Sequence, residues 1–333
     1  ISNGSDFDEQ TGKLKQGNKS LIIGEDKVND LLKTFSSEDW LVSKIEKKPS
    51  KRSPSAPFTT STLQQEASRK LRSSARQTMS IAQKLYENGF ITYMRTDSTL
   101  LSDEAISGSR KVIQDLYGDQ FLPESPKQYA TKVRNAQEAH EAIRPAHRVF
   151  RTVKDVKTNL GDGAAKLYDL IWKRTVASQM KSAKLEQTSI TITNQKAEFR
   201  ANGQMILFPG YMKVYVEGRD NPDKDLANKE RILPKLEIEE ALNCNALIPD
   251  SHSTKPPARY TEASLVKALE ENGIGRPSTF AETVRKIKER EYVVKEERDG
   301  KIINSKELTL ENTKTPMTIP ENRVSRKPKL WYP

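Results

Sequence analysis

The sequence predicts an α+β protein built from several small units, and three observations carry that reading. Apolar residues recur at helical spacing through the middle of the chain. Strand-like alternation takes over between 185 and 248, and residues 259–306 read as helix, turn, helix and hairpin. The 333 residues suffice for two or three compact units that each bury a core. Only 35% of them are hydrophobic and 30% are charged, which fits small lobes with much exposed surface around an opening.

The elements follow in order. Residues 1–50 hold short apolar runs: Leu21-Ile22-Ile23 as a strand, Val28, Leu31 and Leu32 at helical spacing, and Trp40-Leu41-Val42 as a second strand. Residues 46–57 are basic and proline-punctuated, a connector where a domain boundary is expected. Behind Ser61 and Thr62, Leu63, Ala67, Leu71 and Ala75 recur every four residues and predict one helix. A second helix carries Met79, Ala82, Leu85 and Tyr86 and stops at Asn88-Gly89. A short extended piece, 90–95, leads into a Thr/Asp/Ser turn. One helix then follows Ser102, with Ile106, Ile113, Leu116 and Tyr117 on one face, and another covers about 164–181.

Strands are expected at 188–193, 197–201, 205–208 and 212–216, with a further mixed strand region at 233–247. Thr261 caps a helix with Leu265, Val266 and Leu269 inward, ended by Asn272-Gly273. Thr279 and Glu282 have capping-box spacing ahead of a second helix. Tyr292-Val293-Val294 and Lys301-Ile302-Ile303 flank Asp299-Gly300, a hairpin-turn signal. That outline matches a winged helix, and equally a generic helical lobe with a β-tail.

Composition narrows the partners. Lys and Arg outnumber Asp and Glu by 56 to 45, giving a net charge of +11. This favours a polyanion, nucleic acid before membrane, beside the plainer reading of charge that keeps a protein soluble. The single cysteine, Cys244, excludes an internal disulfide and a cysteine-based zinc ribbon, and it reads as a small core residue. No apolar run reaches the roughly 18 residues needed to cross a bilayer. The chain opens Ile1-Ser2-Asn3-Gly4 with no signal-like segment, as expected of an internal stretch of a longer product.

Tyr93 is the candidate for covalent chemistry. In an extended segment the side chains at i and i+2 leave one face, so Tyr93 and Arg95 point the same way. A phenol with a pKa of about 10 is a weak nucleophile, and a neighbouring guanidinium both favours the phenolate and clamps a phosphate. Thr92, Thr96, Asp97 and Ser98 add donors and a carboxylate. The set suits attack on phosphorus leaving an O-phosphotyrosine bond, against the plainer reading of Tyr93 as a packing residue.

Three other stretches hold candidates. His140 lies in Ala139-His140-Glu141-Ala142-Ile143-Arg144, where Arg144 stands in place of the second histidine of a zinc-protease motif. A phosphate contact by His140, helped by Arg144, and a structural histidine both remain open. The turn 273–279 offers helix-start N–H groups with Arg276, Ser278 and Thr279, an anion pocket or a capped turn; its Gly-Arg-Pro-Ser ending is not that of a P-loop. Residues 51–80 hold Lys51, Arg52, Arg69, Lys70, Arg72 and Arg76 against Glu66 alone, a solvated face or a DNA-backbone track.

Four stretches together resemble the type IA DNA topoisomerases, in the bacterial topoisomerase I branch: 57–67 (Pro-Phe-Thr-Thr-Ser-Thr-Leu-Gln-Gln-Glu-Ala), 90–98 (Phe-Ile-Thr-Tyr-Met-Arg-Thr-Asp-Ser), 135–145 (Asn-Ala-Gln-Glu-Ala-His-Glu-Ala-Ile-Arg-Pro), and 256–265 running on to 273–279. They stand in the family's order over about residues 5–305, and the wording between them is most like cyanobacterial or plastid members. The resemblance implies a toroidal, padlock-shaped core. Its β-rich arch would be 1–52 with 179–250, its helical nucleophile lobe 53–178, and its winged-helix-like DNA-binding lobe 251–333.

It also implies roles. Tyr93 is the expected nucleophile and Arg95 its activating, phosphate-binding partner. Thr92, Asp97, His140, Arg144, Arg259, Arg276, Ser278 and Thr279 are the expected DNA-contacting set. Family members cut one strand through a 5′-phosphotyrosine, pass another strand and reseal without ATP, relaxing negatively supercoiled DNA. Implied partners are single-stranded or underwound DNA and a Toprim domain in the parent chain, and no membrane. The implied compartment is the bacterial cytoplasm or nucleoid, or a plastid. Mg²⁺ is expected through the Toprim domain, whose Asp-x-Asp site this stretch lacks; no ligand for it is identified here. The sequence after about Leu308 departs from the family pattern, as expected of a partial or alternatively spliced product. A non-catalytic, single-strand-binding remnant is the competing reading. A tyrosine recombinase is poorly matched, lacking the paired Arg/His pattern around a C-terminal tyrosine.

Overall fold

A computed structural model describes residues 40–129, 141–194, 197–218, 231–247 and 258–296, with scattered residues before 40 and three strand pieces after 302. The readings at 21–23, at Leu32, at His140 and at Asp299-Gly300 fall outside the described residues.

The sheet takes its strands from both sides of the helical stretch. β1 (Trp40–Arg52), β2 (Ala183–Asn194) and β3 (Ala197–Phe208) are antiparallel, and a short β4 (Ala241–Leu242) completes the order β3-β2-β1-β4. Strand β1 runs through to Arg52, where the sequence suggests a connector from 46 onward. The register explains the difference, since Ala183 to Glu186 pair with Arg52 to Pro49 and supply ladder partners. Pro49 has no N–H to donate, and it sits where β4, which reaches only Trp40 and Leu41, leaves that side unpaired. Phe199 packs on Trp40 with ring centroids 5.0 Å apart, closing one face. The pieces expected at 197–201 and 205–208 form one strand. Residues 212–216, expected as another, instead follow a 3₁₀ turn (Gly210–Lys213) that lays Tyr211, Val214 and Tyr215 on the helices. Cys244, expected in a core, is half-buried.

The helices begin and end where their caps dictate. Thr59 caps α1 (Thr60–Leu71), accepting from the Thr62 N–H. The helix stops at Arg72, which adopts φ 53°. The expected single stripe through Ala75 is therefore two helices: Ser74 caps α2 (Ala75–Glu87), which ends at Asn88 and Gly89. Ser102 caps α3 (Asp103–Tyr117). In α3 a Cβ at Gly108 would lie 2.3 Å from the Arg148 carbonyl oxygen, so only glycine allows that approach. The short helix α4 (Val153–Leu160), capped reciprocally by Thr152 and Asp155, has no counterpart in the sequence reading; α5 (Asp162–Ser178) follows.

Phe58, Leu63, Leu85, Ile91, Ile143, Leu167, Tyr168 and Ile171 form the main core. Each aliphatic member, at most 2% exposed, contributes about 1.5–3 kcal/mol by leaving water. A second, smaller cluster of Ala75, Val266, Phe280 and Val284 fixes α6 (Glu262–Glu271) and α7 (Phe280–Glu289) to the first two helices. Short pairs finish the described chain: β5 (Ala246–Leu247) with β7 (Leu310–Glu311), and β6 (Ile303–Asn304) with β8 (Val324–Ser325). Tyr292 to Val294, expected as the first strand of a wing, are a bend and coil instead.

Candidate nucleophile site and nucleic-acid cleft

The segment 90–98 is held from beneath at nearly every residue, which turns Tyr93 and Arg95 outward. Fully buried Thr60, the first residue of α1, donates its hydroxyl to the Met94 carbonyl at 2.7 Å and accepts from the Thr96 N–H at 2.9 Å. Its own N–H donates to the Thr96 carbonyl. On the other side Ile91 bridges Pro145, the Thr92 N–H donates to the Arg144 carbonyl, and the Ala146 N–H donates to the Phe90 carbonyl. Ile91, Met94, Thr96 and Ser98 are buried, whereas Tyr93 is 39% exposed and Arg95 is exposed. The extended-chain alternation expected from the sequence is thus the arrangement found. Tyr86, in the last turn of α2, meets the Tyr93 ring edge-on with centroids 5.2 Å apart.

Thr92 and Arg144 hold the scaffold together. The Thr92 hydroxyl donates to the Ala142 carbonyl at 2.7 Å and accepts from the Arg144 N–H at 3.0 Å, which occupies the group expected to meet DNA. The Arg144 side chain is 5% exposed. Its guanidinium donates to Glu141, to the Ser102 hydroxyl and to the Pro145 carbonyl. The expectation of a phosphate contact from Arg144 is corrected accordingly, because burial and three internal acceptors hold that charge inside the fold. Burial raises the Glu141 carboxyl, and the hydrogen bonds from Ser102 and Arg144 outweigh it and keep the pKa low.

Asp97 lies near a carboxyl from another element. Glu270, near the end of α6, accepts from the Ser61 hydroxyl at 2.7 Å. Burial, with help from the charges of Glu271 and Asp97, holds its pKa above the ordinary carboxylate value, against the Ser61 bond. Glu262, at the start of the same helix, accepts from the Ala75 N–H that opens α2 at 2.7 Å, and it pairs with Lys288 and Lys295. These contacts, missed in the sequence reading, join α6 and α7 to α1 and α2. Acidic residues within a helical lobe carry no sequence mark of a partner two hundred residues away.

The turn between α6 and α7 has the expected outline with different bonds. Gly275 has φ 86°, and a Cβ there would press on the Thr279 hydroxyl and the Phe280 ring. Thr279 makes no side-chain cap; its hydroxyl accepts from the Arg276 N–H at 2.8 Å. Glu282 is held by Arg285, so the expected capping box does not form. Arg276, Ser278 and Arg259 are exposed. Ser278 and Arg95 line one cleft of 460 Å³, together with Arg76 and Met79 of α2 and Pro277, Ala281, Glu282 and Arg285 of the α7 side. Arg259 and Arg276 are not among its lining residues. Of the six basic residues read as a track, Arg76 reaches this cleft. Arg69 and Lys70 instead pair with Glu66, and Lys70 lies over the Tyr215 ring.

Among the described residues, no group of three or more histidine, cysteine or acidic side chains is placed to hold a metal ion. The described residues therefore do not fit a Mg²⁺ site. No described helix is long and apolar enough to cross a membrane.

On this α+β scaffold an outward tyrosine and arginine stand on one pinned loop, and the arginine borders a cleft lined by two further arginines. A DNA topoisomerase family model matches residues 4–310. DNA topoisomerase 1 of Synechocystis is 52% identical over 293 residues, which cover 88% of this chain and 32% of that protein. DNA topoisomerase 1 of Streptomyces coelicolor is 51% identical over 300 residues, 89% of this chain and 31% of that protein. The structure of full-length topoisomerase I from Thermotoga maritima superposes with a TM-score of 0.68 at 35% identity, over 87% of this chain and 46% of that one. The chain belongs to the bacterial DNA topoisomerase family. It spans about a third of the length of the curated relatives it matches.

Proposed function

We propose that this chain is the nucleophile-bearing core of a type IA DNA topoisomerase, with Tyr93 as nucleophile and Arg95 as its phosphate-binding partner. The phenol loses its proton and its oxygen attacks a backbone phosphorus. A P–O(Tyr93) bond forms as the P–O3′ bond breaks, and the leaving 3′-oxygen takes up a proton in balance with the one the phenol gives to water, leaving a 5′-phosphotyrosine and a free 3′-hydroxyl. The reverse attack by that hydroxyl reseals the strand, so the link conserves bond energy and no ATP is needed. Arg95 neutralises the phosphate during both steps. Between them another strand passes, relaxing negative supercoils.

One observation carries the reading: the only two consecutive i, i+2 side chains that the pinned loop 90–96 turns outward are a phenol and a guanidinium, and the guanidinium borders the Ser278 cleft. The proposed division of labour keeps 1–52 with 179–250 as arch, 53–178 as nucleophile lobe and 251–333 as DNA-binding lobe. Arg259, Arg276, Ser278 and Thr279 belong to the single-strand groove in this reading, His140 and Asp97 to the scissile phosphate's surroundings, and Thr92 and Arg144 support the loop. A Toprim domain elsewhere in the parent chain would hold Mg²⁺, for which this chain offers no ligand set among its described residues, and the setting is bacterial nucleoid or plastid DNA.

The test is a covalent trap. The chain is mixed with separately supplied Toprim domain, Mg²⁺ and a 3′-labelled single-stranded oligonucleotide, whose labelled fragment stays on a 5′-phosphotyrosine, then denatured and run on a gel. A protein–DNA adduct that disappears in Tyr93→Phe, while single-strand binding persists, is the expected result. An adduct surviving that substitution removes Tyr93 from the role. Binding without any adduct, even with Toprim present, favours a single-strand-binding remnant.

A further inference from the structure

The cleft that Arg95 shares with Ser278 contains more positive charge than one scissile phosphate requires. Its lining holds three arginines, Arg76, Arg95 and Arg285, against one carboxylate, Glu282. Two walls face each other: Arg76 and Met79 from the start of α2, and Ser278, Ala281, Glu282 and Arg285 from α7. Guanidinium forks match phosphate oxygens in pairs, and Met79, Pro277 and Ala281 give an apolar floor suited to a sugar or base. A volume of 460 Å³ takes a nucleotide unit rather than a bare ion.

Arg76 is oddly placed for stability. It stands in the first turn of α2, a turn with no acidic residue of its own, where a cation opposes the helix dipole. An anion at this end relieves that opposition. Glu282 supplies part of one: it faces Arg76 electrostatically while Arg285 donates to it from one turn further along α7. Lys286 also approaches Glu282, at 3.8 Å, and Arg285 holds Glu289 as a second acceptor. Both members of the Glu282–Arg285 pair are partly solvent-exposed, with side chains 44% and 35% accessible, so the pair is weak and readily exchanged.

We propose that this cleft is a second backbone-phosphate subsite for single-stranded DNA, in which Arg76 and Arg285 bind the phosphate next to the one held at Arg95. Glu282 occupies the phosphate's place in the DNA-free protein and is displaced when the strand enters. The subsite rests on the nucleic-acid reading above and adds two positioning residues to it. It sets which nucleotide stands beside Tyr93 by fixing the strand one phosphate away.

The test is binding of a 5′-labelled oligothymidylate, followed by fluorescence anisotropy across a salt series. Arg76→Ala and Arg285→Ala are each expected to weaken binding about 3–10-fold at low salt. The double variant should reduce the slope of log affinity against log salt by about 0.7, the value for the one single-strand phosphate that the two arginines share. Glu282→Gln should tighten binding several-fold, a change of sign that a misfolded variant does not give. Wild-type affinity and slope in the double variant, with Arg276→Ala still weakened, overturns the subsite alone. A wild-type chain that fails to bind the oligonucleotide overturns the nucleic-acid reading and the subsite together. Unchanged or weaker binding by Glu282→Gln overturns the displacement by phosphate.

Discussion

Thr60→Val tests whether α1 fixes the loop that carries Tyr93. The substitution keeps the branched shape at a site with no solvent exposure and removes only the hydroxyl. Two groups then lose partners: the Thr96 N–H, now 2.9 Å from its acceptor, and the Met94 carbonyl, now 2.7 Å from its donor. Thr96 and Met94 are 2% and 4% exposed, so water does not readily replace the hydroxyl. Stranding a buried polar group costs about 1–3 kcal/mol. With the Thr96 carbonyl still held by the Thr60 N–H, local stability of the loop should fall by about 2 kcal/mol. At 1.4 kcal/mol per tenfold, the amides of 92–98 should exchange with solvent roughly thirtyfold faster, read by hydrogen–deuterium exchange and mass spectrometry. Thr60→Ser retains the hydroxyl and should stay near wild type. Exchange in Thr60→Val within about threefold of wild type refutes the pinning argument. So does a serine variant as fast as the valine one.

Two further outcomes follow from buried polar groups. Glu270 has a folded-state pKa above the ordinary value of 4.5, so its contribution to stability is complete below that value and is lost as pH rises through the raised one. Glu270→Gln should therefore raise the melting temperature near pH 7 and leave it unchanged near pH 4; an equal effect at both pH values contradicts the assignment. Arg174 donates to the Ala56 carbonyl at 2.6 Å and to Glu217 at 2.5 Å, and lies 4.8 Å over the Phe58 ring. Arg174→Met should cost about 2–3 kcal/mol, less than a fully buried pair because Glu217 is 43% exposed and rehydrates. A melting temperature unchanged within error counts against that hub.

What the sequence makes legible here is mostly local. Ser102 and Thr261 cap the helices they precede, Gly89 follows a helix end, and residues 93–98 alternate out and in as extended chain does. What it hides depends on distant partners. Residues 46–52 read as a connector because the β2 residues that pair with them are about 135 positions away. Arg144 reads as a surface cation because nothing nearby in sequence announces that Ser102 accepts from it. Thr279 and Glu282 have the spacing of a capping box, yet Arg285 is a stronger partner for the carboxylate than a backbone N–H. The candidate site divides the same way: Tyr93 and Arg95 are readable from their spacing, whereas the cleft is assembled from α2 and α7 and has no linear signature.

The passage from β1 into α1 has a mechanical meaning. Residues 53–59 are the only covalent route from the sheet's inner strand to Thr60, and they are moored before they arrive. Tyr129 donates to the Pro54 carbonyl, Arg174 to the Ala56 carbonyl, and the Ile143 N–H to the Phe58 carbonyl. A pull on the strand is therefore shed sideways into α5 and the 141–145 segment. Thr60, and with it the Tyr93 loop, thus takes its position from these lateral bonds as well as from the sheet.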